Sequence, residues 1–386
     1  MGRVLFAWEL GEGLGHVSRL LPVAQELVKR GHECVFAVRD LGLAATRLAD
    51  HGFTLMQAPY AVLPQGRLPF SVGAYGDILG LIGFNEPTRL EALLRGWDQV
   101  LEMVRPDLVI GDYCPLLCLA ISGAMPVIVL GDGFTLPPAD GPTFDALGNR
   151  RPSLDEQELL GHVRTVQRRR GRPAPETLPG ILRHAQPFII TLPELDNYAG
   201  RRAPGVSVGP LQPLPAPAQA PSTCGWFAYL SLSHPSTPAL LATLTRLDPT
   251  GSAYLRDASP QERAALASQG IHIHETPQDL PAAIGAAGVL VHHGGLGTLE
   301  VGLAVGRPQL IVPRQLEQRL NCALIGGWGG AVSMAVSFTA KNVQDAFLRL
   351  KEPSFPAAAR EKAAELERRG PFGSLQDIVR ASEIHL

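Results

Sequence analysis

Cysteine, excess charge of one sign and long apolar runs are all scarce in this sequence. The five cysteines are odd in number and scattered, which does not suit a disulfide framework and suits a reducing cytoplasm. The formal net charge is −2, so no basic field is available to hold nucleic acid. No apolar run reaches the roughly 18 residues of a membrane helix, and the strand-like run Arg3–Trp8 leads us to expect no signal peptide. We expect a cytoplasmic protein without a membrane span, with peripheral membrane association left open.

The 386 residues exceed one ordinary domain, and both halves of the chain follow the same plan. Short apolar runs alternate with amphipathic runs, a pattern typical of βαβ units and parallel sheets. A segment with five prolines, residues 209–221, separates the halves. We predict a first Rossmann-like domain at residues 1–208, a linker at 209–222 and a second Rossmann-like domain at 223–370.

The most informative motif is Val-His-His-Gly-Gly-Leu-Gly-Thr-Leu-Glu at residues 291–300. An apolar run precedes it and a helix-like stretch ending at Gly306 follows it. A helix N-terminus after a strand binds anions, because its backbone N–H groups lack partners and the helix dipole favours negative charge. Glycines let a phosphate approach, and a histidine can donate a hydrogen bond to it. We predict a diphosphate cradle; the alternative is a tight glycine-lined turn.

A second glycine-rich turn, residues 9–16, joins the first predicted strand to the first predicted helix. One interpretation is a dinucleotide loop with Gly13, Gly15 and a ribose-binding Asp40. Ser18 stands where the third glycine of that fingerprint belongs, so the match is incomplete.

The other interpretation of this turn makes His16 a general base at the head of the helix. Such a base needs an acid that orients it, and Asp112 follows the predicted strand Leu108–Ile110 at the same edge of the sheet. Taken singly, either residue also suits a helix cap.

Two irregular stretches rich in glycine, proline and apolar residues lie in the first half, at residues 60–85 and 132–151. The first of them could be a cap that forms the wall of an acceptor pocket, or alternatively a satellite core under a long loop. The predicted acceptor-binding residues are Phe70, Tyr75, Phe84 and Phe134.

Seven short segments in both halves match the motifs of one family. They are Gly15–Pro22, Pro106–Asp112, Val208–Leu211, Tyr229–Ser233, Pro277–Gln278, His292–Thr298 and Pro313–Gln318. In combination they make the chain resemble the UDP-glucuronosyl/UDP-glucosyl transferases, especially the bacterial enzymes that glycosylate natural products and sterols.

The resemblance implies the B-type glycosyltransferase (GT-B) fold: two Rossmann-like parallel-sheet domains facing a cleft, with a C-terminal helix, residues 371–386, packed on the first domain. It implies that the first domain binds the acceptor, with His16 as the base and Asp112 as its partner. It also implies that the second domain binds the nucleotide sugar. The predicted donor-binding residues are Ser231, Gln278, His293, Gly294, Gly295, Gly297, Thr298, Arg314, Glu317 and Gln318.

The expected reaction is an inverting transfer of a hexose from a UDP or TDP sugar to a hydroxyl of a hydrophobic small molecule. No cofactor and no metal are expected, and the sequence contains no Asp-x-Asp pair. The sequence departs from the family pattern at three places. Glu275 replaces an aromatic residue near the donor base, Arg19 stands where proline is frequent, and Gly-Thr-Leu-Glu at 297–300 is a variant of the usual run. The alternatives are a catalytically silent accessory protein that binds a nucleotide sugar, a sugar-nucleotide 2-epimerase, and a nicotinamide oxidoreductase.

Overall fold

The computed structural model describes residues 1–62, 68–221 and 225–386. The chain divides into two compact units, Met1–Leu211 with Gly373–Leu386, and Gln212–Phe372. The first unit runs past the predicted boundary at residue 208 because Val208 and Leu211 pack against its core. The predicted end of the linker at 222 and the predicted start of the second domain at 223 lie outside the described residues.

The first unit contains a parallel sheet whose strands are nearly continuous apolar runs. The strands are β1 (Arg3–Trp8), β2 (Glu33–Val38), β3 (Thr54–Gln57), β4 (Leu108–Asp112), β5 (Val127–Gly131) and β6 (Ala185–Ile189). The helices are α1 (Gly15–Lys29), α2 (Leu41–Leu48), α3 (Tyr75–Leu79), α4 (Pro87–Val104), α5 (Pro115–Ile121) and α6 (Glu156–Arg170). The sheet order is β3-β2-β1-β4-β5-β6. Apolar clusters on both faces explain why these strands do not alternate between apolar and polar residues.

The second unit repeats this architecture. Its strands are β7 (Trp226–Leu230), β8 (Ser252–Leu255), β9 (His272–Ile273), β10 (Val289–His292), β11 (Gln309–Ile311) and β12 (Ala331–Ser333). Its helices are α7 (Thr237–Leu247), α8 (Pro260–Ala267), α9 (Leu280–Ala286), α10 (Leu296–Val305), α11 (Leu316–Ile325), α12 (Ala340–Leu350) and α13 (Ser354–Arg369). The sheet order is β12-β11-β10-β7-β8-β9, again all parallel. Counted from each sheet's first strand, both orders are the doubly wound 3-2-1-4-5-6, which confirms the predicted fold class.

The last helix, α14 (Ser374–Glu383), belongs to the first unit. Ile378 and Val379 are fully buried in the core that also contains Leu20 of α1. The buried hydroxyl of Ser374 donates to the carbonyl of Val208 at 2.6 Å. The helix is therefore part of the first unit's core.

The apolar segment before α4 folds as α3 followed by a turn of π-helix, Gly80–Phe84. Tyr75 is 1% exposed and Phe84 is 0% exposed, both within the core. The carboxylate of Asp77 anchors the segment by accepting hydrogen bonds from the backbone of Gly73 and Leu154. Protein therefore covers both rings, as the satellite-core alternative requires, and a role of Tyr75 and Phe84 in acceptor binding stays a prediction.

Several predicted boundaries shift by a residue or two. Helix α1 begins at Gly15, so His16 lies inside its first turn, and β4 extends to Asp112. Strands β9 and β12 have only two or three residues, too few for a period to be recognised. Within the described part of the chain, no helix combines the length and the apolar character needed to cross a membrane.

Candidate active site

In the first sheet, β1 and β4 are neighbours whose onward connections lead to opposite sides of the sheet. The loops after two such strands separate and leave a crevice at their carboxyl ends, where open α/β sheets bind ligands. The turn of residues 9–16 follows β1, and Asp112 is the last residue of β4. The topology therefore brings both predicted catalytic residues to this crevice.

His16 and Asp112 form a directly bonded pair. The distance from His16 Nδ1 to Asp112 Oδ1 is 3.1 Å, and Asp112 is fully buried while the side chain of His16 is 12% exposed. The Trp8 ring stacks on the imidazole with centroids 5.5 Å apart. When Nδ1–H donates to the carboxylate, Nε2 carries the lone pair that accepts a proton. The geometry suits a general base held by an acid.

Gly11 makes room for the reactive nitrogen of this pair. Its φ is +85°, in the left-handed region that favours glycine. A Cβ at this position would overlap with His16 Nε2. Only a residue without a side chain fits beneath the imidazole.

Within the described residues neither His16 nor Asp112 caps a helix, so the cap interpretation is wrong for both: Leu14 is the N-cap of α1, and His16 lies inside that helix. The N-terminus of α5 has Cys114 at its cap position without a capping side-chain bond. The buried carboxylate of Glu9 instead accepts from Leu116 N at 3.0 Å and from Leu117 N at 2.6 Å. Sequence reasoning missed Glu9 because its partners are more than a hundred residues away.

Asp40, the ribose-binding acid of the dinucleotide interpretation, is the N-cap of α2. Its Oδ1 accepts a hydrogen bond from Leu43 N at 2.9 Å. This local role accounts for the residue and removes support from that interpretation.

Tyr113 is a site residue that the sequence did not reveal. It follows Asp112 with a φ of +52°, which is uncommon for a residue with a bulky side chain. Its ring lies 6.1 Å from that of His16 and 6.3 Å from that of Phe134. Strained backbone of this kind collects at functional sites, and no sequence pattern signals it.

The predicted acceptor residues Phe70 and Phe134 are half-buried. Phe134 N donates to Asp132 Oδ1 at 2.9 Å, and its ring meets Tyr113 edge to face. Phe134 therefore joins the aromatic surroundings of His16. Phe70 instead approaches Gly80 in the segment before α4, where its Cζ would lie 3.8 Å from an added Cβ.

The second sheet has its own point of reversal, where β7 and β10 are neighbours. Helix α10 starts just beyond β10, with Gly295 as its N-cap and no capping side-chain bond among the described residues. A Cβ on Gly295 or Gly297 would meet nothing within 4 Å, whereas one on Gly294, whose φ is +86°, would lie 2.8 Å from Ile311 Cγ2. Open space in front of uncapped N–H groups is what an anion requires.

His293 is hydrogen-bonded on both ring nitrogens. Its Nε2 accepts a hydrogen bond from Ser231 N at 2.9 Å, and its Nδ1 donates to the carbonyl of Val312 at 2.8 Å. Burial lowers the pKa of His293 to about 4, so the ring is neutral at physiological pH. Its one N–H is bonded to the carbonyl of Val312, and a contact of His293 with a diphosphate stays a prediction. In this structure it ties together the ends of three strands.

His292 is buried more deeply and supports the same loop. Its Nδ1 accepts from Gly294 N at 3.2 Å, and its Nε2 lies 2.9 Å from Gln309 Oε1. Burial lowers the pKa of His292 to about 3. Both histidines are therefore neutral supports for the turn that precedes α10.

Ser231 is also an internal residue, with 1% of its surface exposed. Its hydroxyl donates to Asp257 Oδ2 at 2.5 Å, and the backbone of Leu232 donates to Oδ1 of the same carboxylate. Burial alone would raise the pKa of Asp257, but these hydrogen bonds outweigh it and lower the pKa to about 2. The exposed residue here is Ser233, to whose hydroxyl Arg314 donates at 2.7 Å. Sequence reasoning missed Asp257 and did not single out Ser233 as part of this network.

The remaining predicted donor side chains are half-buried and lie on loops or in the first turns of helices at the same sheet edge. Gln318 Oε1 accepts from Arg314 N at 2.7 Å and caps α11, while Glu317 lies in the first turn of that helix. Gln278 follows β9 and donates to the carbonyl of Thr276 at 2.9 Å. Thr298 lies in the first turn of α10. A sugar-binding role for Gln318 would thus compete with its capping bond.

No protein-family model matches the chain. The elloramycin glycosyltransferase of Streptomyces olivaceus is 34% identical over 87 residues, which is 22% of this chain and 22% of that enzyme. A longer match, 26% identical over 337 residues, covers 83% of this chain and 80% of the UDP-N-acetylglucosamine--N-acetylmuramyl-(pentapeptide) pyrophosphoryl-undecaprenol N-acetylglucosamine transferase of Paenarthrobacter aurescens. The shorter match spans only about a fifth of the elloramycin enzyme, so it does not establish an activity for the whole chain.

Solved structures of glycosyltransferases superpose on the full length. A calicheamicin glycosyltransferase has a TM-score of 0.71 at 18% identity, covering 100% of this chain and 98% of its own. A glycosyltransferase of Streptomyces sp. SF2575 complexed with thymidine diphosphate has a TM-score of 0.60 at 20% identity, covering 99% of each chain. These comparisons confirm the predicted resemblance: the chain has the GT-B fold, and the proteins similar to it are glycosyltransferases, several of them named for natural products.

Proposed function

We propose that this protein is an inverting, metal-independent glycosyltransferase that moves a hexose from a UDP or TDP sugar to a hydroxyl of a hydrophobic small molecule. The observation that carries the proposal is the His16–Asp112 pair at the ligand-binding edge of the first sheet. Because Gly11 has no side chain, it leaves room for His16 Nε2. His16 takes the acceptor proton as the oxygen attacks C1 of the sugar. One displacement with departure of the diphosphate inverts the configuration at C1.

The donor is proposed to bind through the uncapped start of α10. Backbone N–H groups from Gly295 to Thr298 would stabilise the charge that develops on the leaving diphosphate. Arg314, half-buried and held by Ser233, supplies a positive charge at the same sheet edge. The structure of the SF2575 enzyme is a complex with thymidine diphosphate and that of a second neighbour is a complex with DTDP, which supports a nucleoside diphosphate as the ligand. His293 is assigned a supporting role.

The acceptor is proposed to lie against the aromatic residues around His16, with Tyr113 and Phe134 replacing Tyr75 and Phe84. The names of the elloramycin, aclacinomycin and calicheamicin enzymes favour an aglycone of natural-product type. A second candidate is a lipid-linked acceptor, since a match over 83% of this chain is to a transferase named for a pyrophosphoryl-undecaprenol acceptor.

The deciding experiment compares wild type with His16→Ala, using His51→Ala as a control with an exposed histidine outside the pair. Transfer to a panel of aglycones, and slow hydrolysis of UDP or TDP sugars, are followed by release of the nucleoside diphosphate. We expect His16→Ala to lower the rate at least about a hundredfold while nucleoside diphosphate binding is retained.

The stereochemistry and the metal requirement are tested with the same assay. The anomeric coupling constant of the product by NMR should report inversion, and EDTA should leave the rate unchanged. Retention of configuration, or a rate equal to wild type in His16→Ala, would refute the mechanism. Binding of UDP and TDP without turnover of any donor would favour the silent accessory protein, and conversion of the free sugar nucleotide to its epimer would favour the epimerase.

A further inference from the structure

Four ionisable side chains form a chain at the carboxyl edge of the first sheet. His16 Nδ1 lies 3.1 Å from Asp112 Oδ1, Arg19 Nη1 lies 3.5 Å from Asp112 Oδ2, and Arg19 Nη2 donates to Asp132 Oδ2 at 2.8 Å. Asp112 and Asp132 are 0% and 1% exposed. Arg19 therefore lies between two buried carboxylates, one of which holds the candidate base.

The fold explains this arrangement. His16 and Arg19 are three residues apart in α1 and so share one face of the helix. Strands β1, β4 and β5 are neighbours in the sheet, and Asp112 and Asp132 stand at the ends of β4 and β5. Parallel strands place both carboxylates at the same edge, opposite that helix face.

The two carboxylates are satisfied differently. Asp132 Oδ1 accepts from Phe134 N and Thr135 N, both at 2.9 Å, while Oδ2 takes Arg19. Burial alone would raise the pKa of Asp132, but Arg19 and these backbone bonds together keep it below the usual value. Asp112 Oδ2 is buried and accepts no hydrogen bond within the described part of the chain. The positive charge of Arg19, 3.5 Å away, compensates the negative charge of this carboxylate.

We propose that Arg19 is a positioning residue for the general base, acting by setting the net charge beside His16. The two carboxylates contribute two negative charges and Arg19 contributes one positive charge, leaving minus one while the imidazole is neutral. When His16 takes a proton, the cluster becomes neutral. Without Arg19 the imidazole would face a net charge of −2, which favours its protonated form and lowers the fraction of His16 that can act as a base.

Other groups around the pair are the same in every variant of the test. Tyr113 faces the imidazole, Cys114 lies near Asp112, and Trp8 stacks on His16. Arg39 donates to the carbonyl of Gly11 at 2.9 Å. Differences in the titration of His16 among the variants therefore report the charge of the Arg19–Asp132 pair.

The test is a series of variants of Arg19 and Asp132 that changes the net charge beside His16 in steps. The net charge of the side chains at positions 19, 112 and 132 is −2 in Arg19→Met, −1 in wild type and zero in Asp132→Asn. In the double variant it is again −1. We expect the acid limb of the pH profile of kcat/KM to move to higher pH by about one unit in Arg19→Met and to lower pH in Asp132→Asn. In the double variant and in Arg19→Lys, the acid limb should lie close to its position in wild type.

The kinetic part of this inference rests on the proposed function, so the same series is measured without turnover. The titration of His16 is followed by NMR with labelled histidine, its signal being assigned from its loss in His16→Ala. Arg170→Met is the matched control: it removes a buried arginine that pairs with Asp98 at 2.6 Å, and should leave the His16 titration unchanged.

The outcomes separate the two ideas. Midpoints in the predicted order support the role of Arg19, and they do so even if no donor is turned over, in which case only the proposed function fails. Midpoints that coincide in all variants, or a double variant that remains at the Arg19→Met position, overturn the proposal.

Discussion

At the scale of single residues, the position of His16 depends on the absence of a side chain at Gly11. A methyl group at Gly11 would overlap with Nε2 and would also strain a backbone with φ of +85°. Gly15 lies in the same turn but differs in both respects: a Cβ there would meet no atom within 4 Å, and the residue already belongs to helix α1.

We predict that Gly11→Ala lowers the transfer rate by about a hundredfold or more, because the imidazole loses its position against Asp112. Gly15→Ala should fold and retain activity within a factor of a few. Both are measured as kcat/KM at the pH optimum, with circular dichroism to verify folding. Equal activities of the two variants would show that Gly11 does not govern access to His16.

Gly297 provides a second residue-scale prediction, for the donor. Its Cβ would project into open space at the start of α10, so Gly297→Ala should leave stability unchanged or raise it by a few tenths to about 1 kcal/mol. The same methyl group would occupy space that a phosphate needs. We expect the Kd for UDP or TDP, by calorimetric titration, to rise about tenfold or more.

Gly161→Ala is the matched control, since Gly161 lies in α6 of the first unit and also has open space around it. Gly161→Ala should change the free energy of unfolding by about as much as Gly297→Ala does, and it should leave the Kd for UDP or TDP unchanged. A Gly297→Ala protein that binds nucleoside diphosphate as tightly as wild type would place the phosphates elsewhere.

At the scale of elements, the dependence of the first unit on α14 can be tested at Ser374. The hydroxyl is fully buried and reaches the carbonyls of Val208, Gly209 and Pro210 at 2.6, 2.9 and 3.2 Å. We predict that Ser374→Ala destabilises the protein by about 1–3 kcal/mol, because buried carbonyl groups lose their donor. Urea unfolding is the measurement.

Arg380→Ala is the control on the same helix, because the Arg380 side chain is 78% exposed. It should change the free energy of unfolding by no more than about 0.5 kcal/mol. If both substitutions have the same small effect, the docking of α14 contributes little to the stability of the first unit.

At the scale of the whole molecule, the two units should respond to pH in opposite directions. In the first, burial raises the pKa of Glu156 to about 7 and raises that of Glu9. The unfolded chain loses these protons at lower pH than the folded one, so this stability is present at low pH and is lost as pH rises towards 7. In the second, His292 and His293 have lowered pKa values, so stability is lost as pH falls from about 6.5 towards 4.

Calorimetry between pH 5 and 7 should therefore show one transition that moves to lower temperature as pH rises and another that moves to higher temperature. Glu156→Gln removes the ionisation of Glu156 while keeping an acceptor for Phe144 N. It should weaken the first response, to which Glu9 still contributes, and leave the second unchanged. Transitions that both move in the same direction would contradict these assignments.

Much of the architecture could be predicted from the sequence because it depends on local patterns. Apolar runs such as Val4–Trp8 and Val127–Leu130 predict strands buried on both faces, and the amphipathic run after Gly15 predicts α1. The glycine turns before α1 and α10 were recognisable for the same reason. Short strands such as β9 escaped because two residues show no period.

The order of residues along the chain was enough to specify the parallel-sheet elements and the residue types at their carboxyl ends. How those residues are used was set by folding in three dimensions: Tyr75 went into the core, His293 became a neutral support, and Arg19 came to lie between Asp112 and Asp132. The reason is that helix and strand patterns depend on near neighbours in the chain. Burial, proton affinity and hydrogen-bond partnership depend on groups tens to hundreds of residues away.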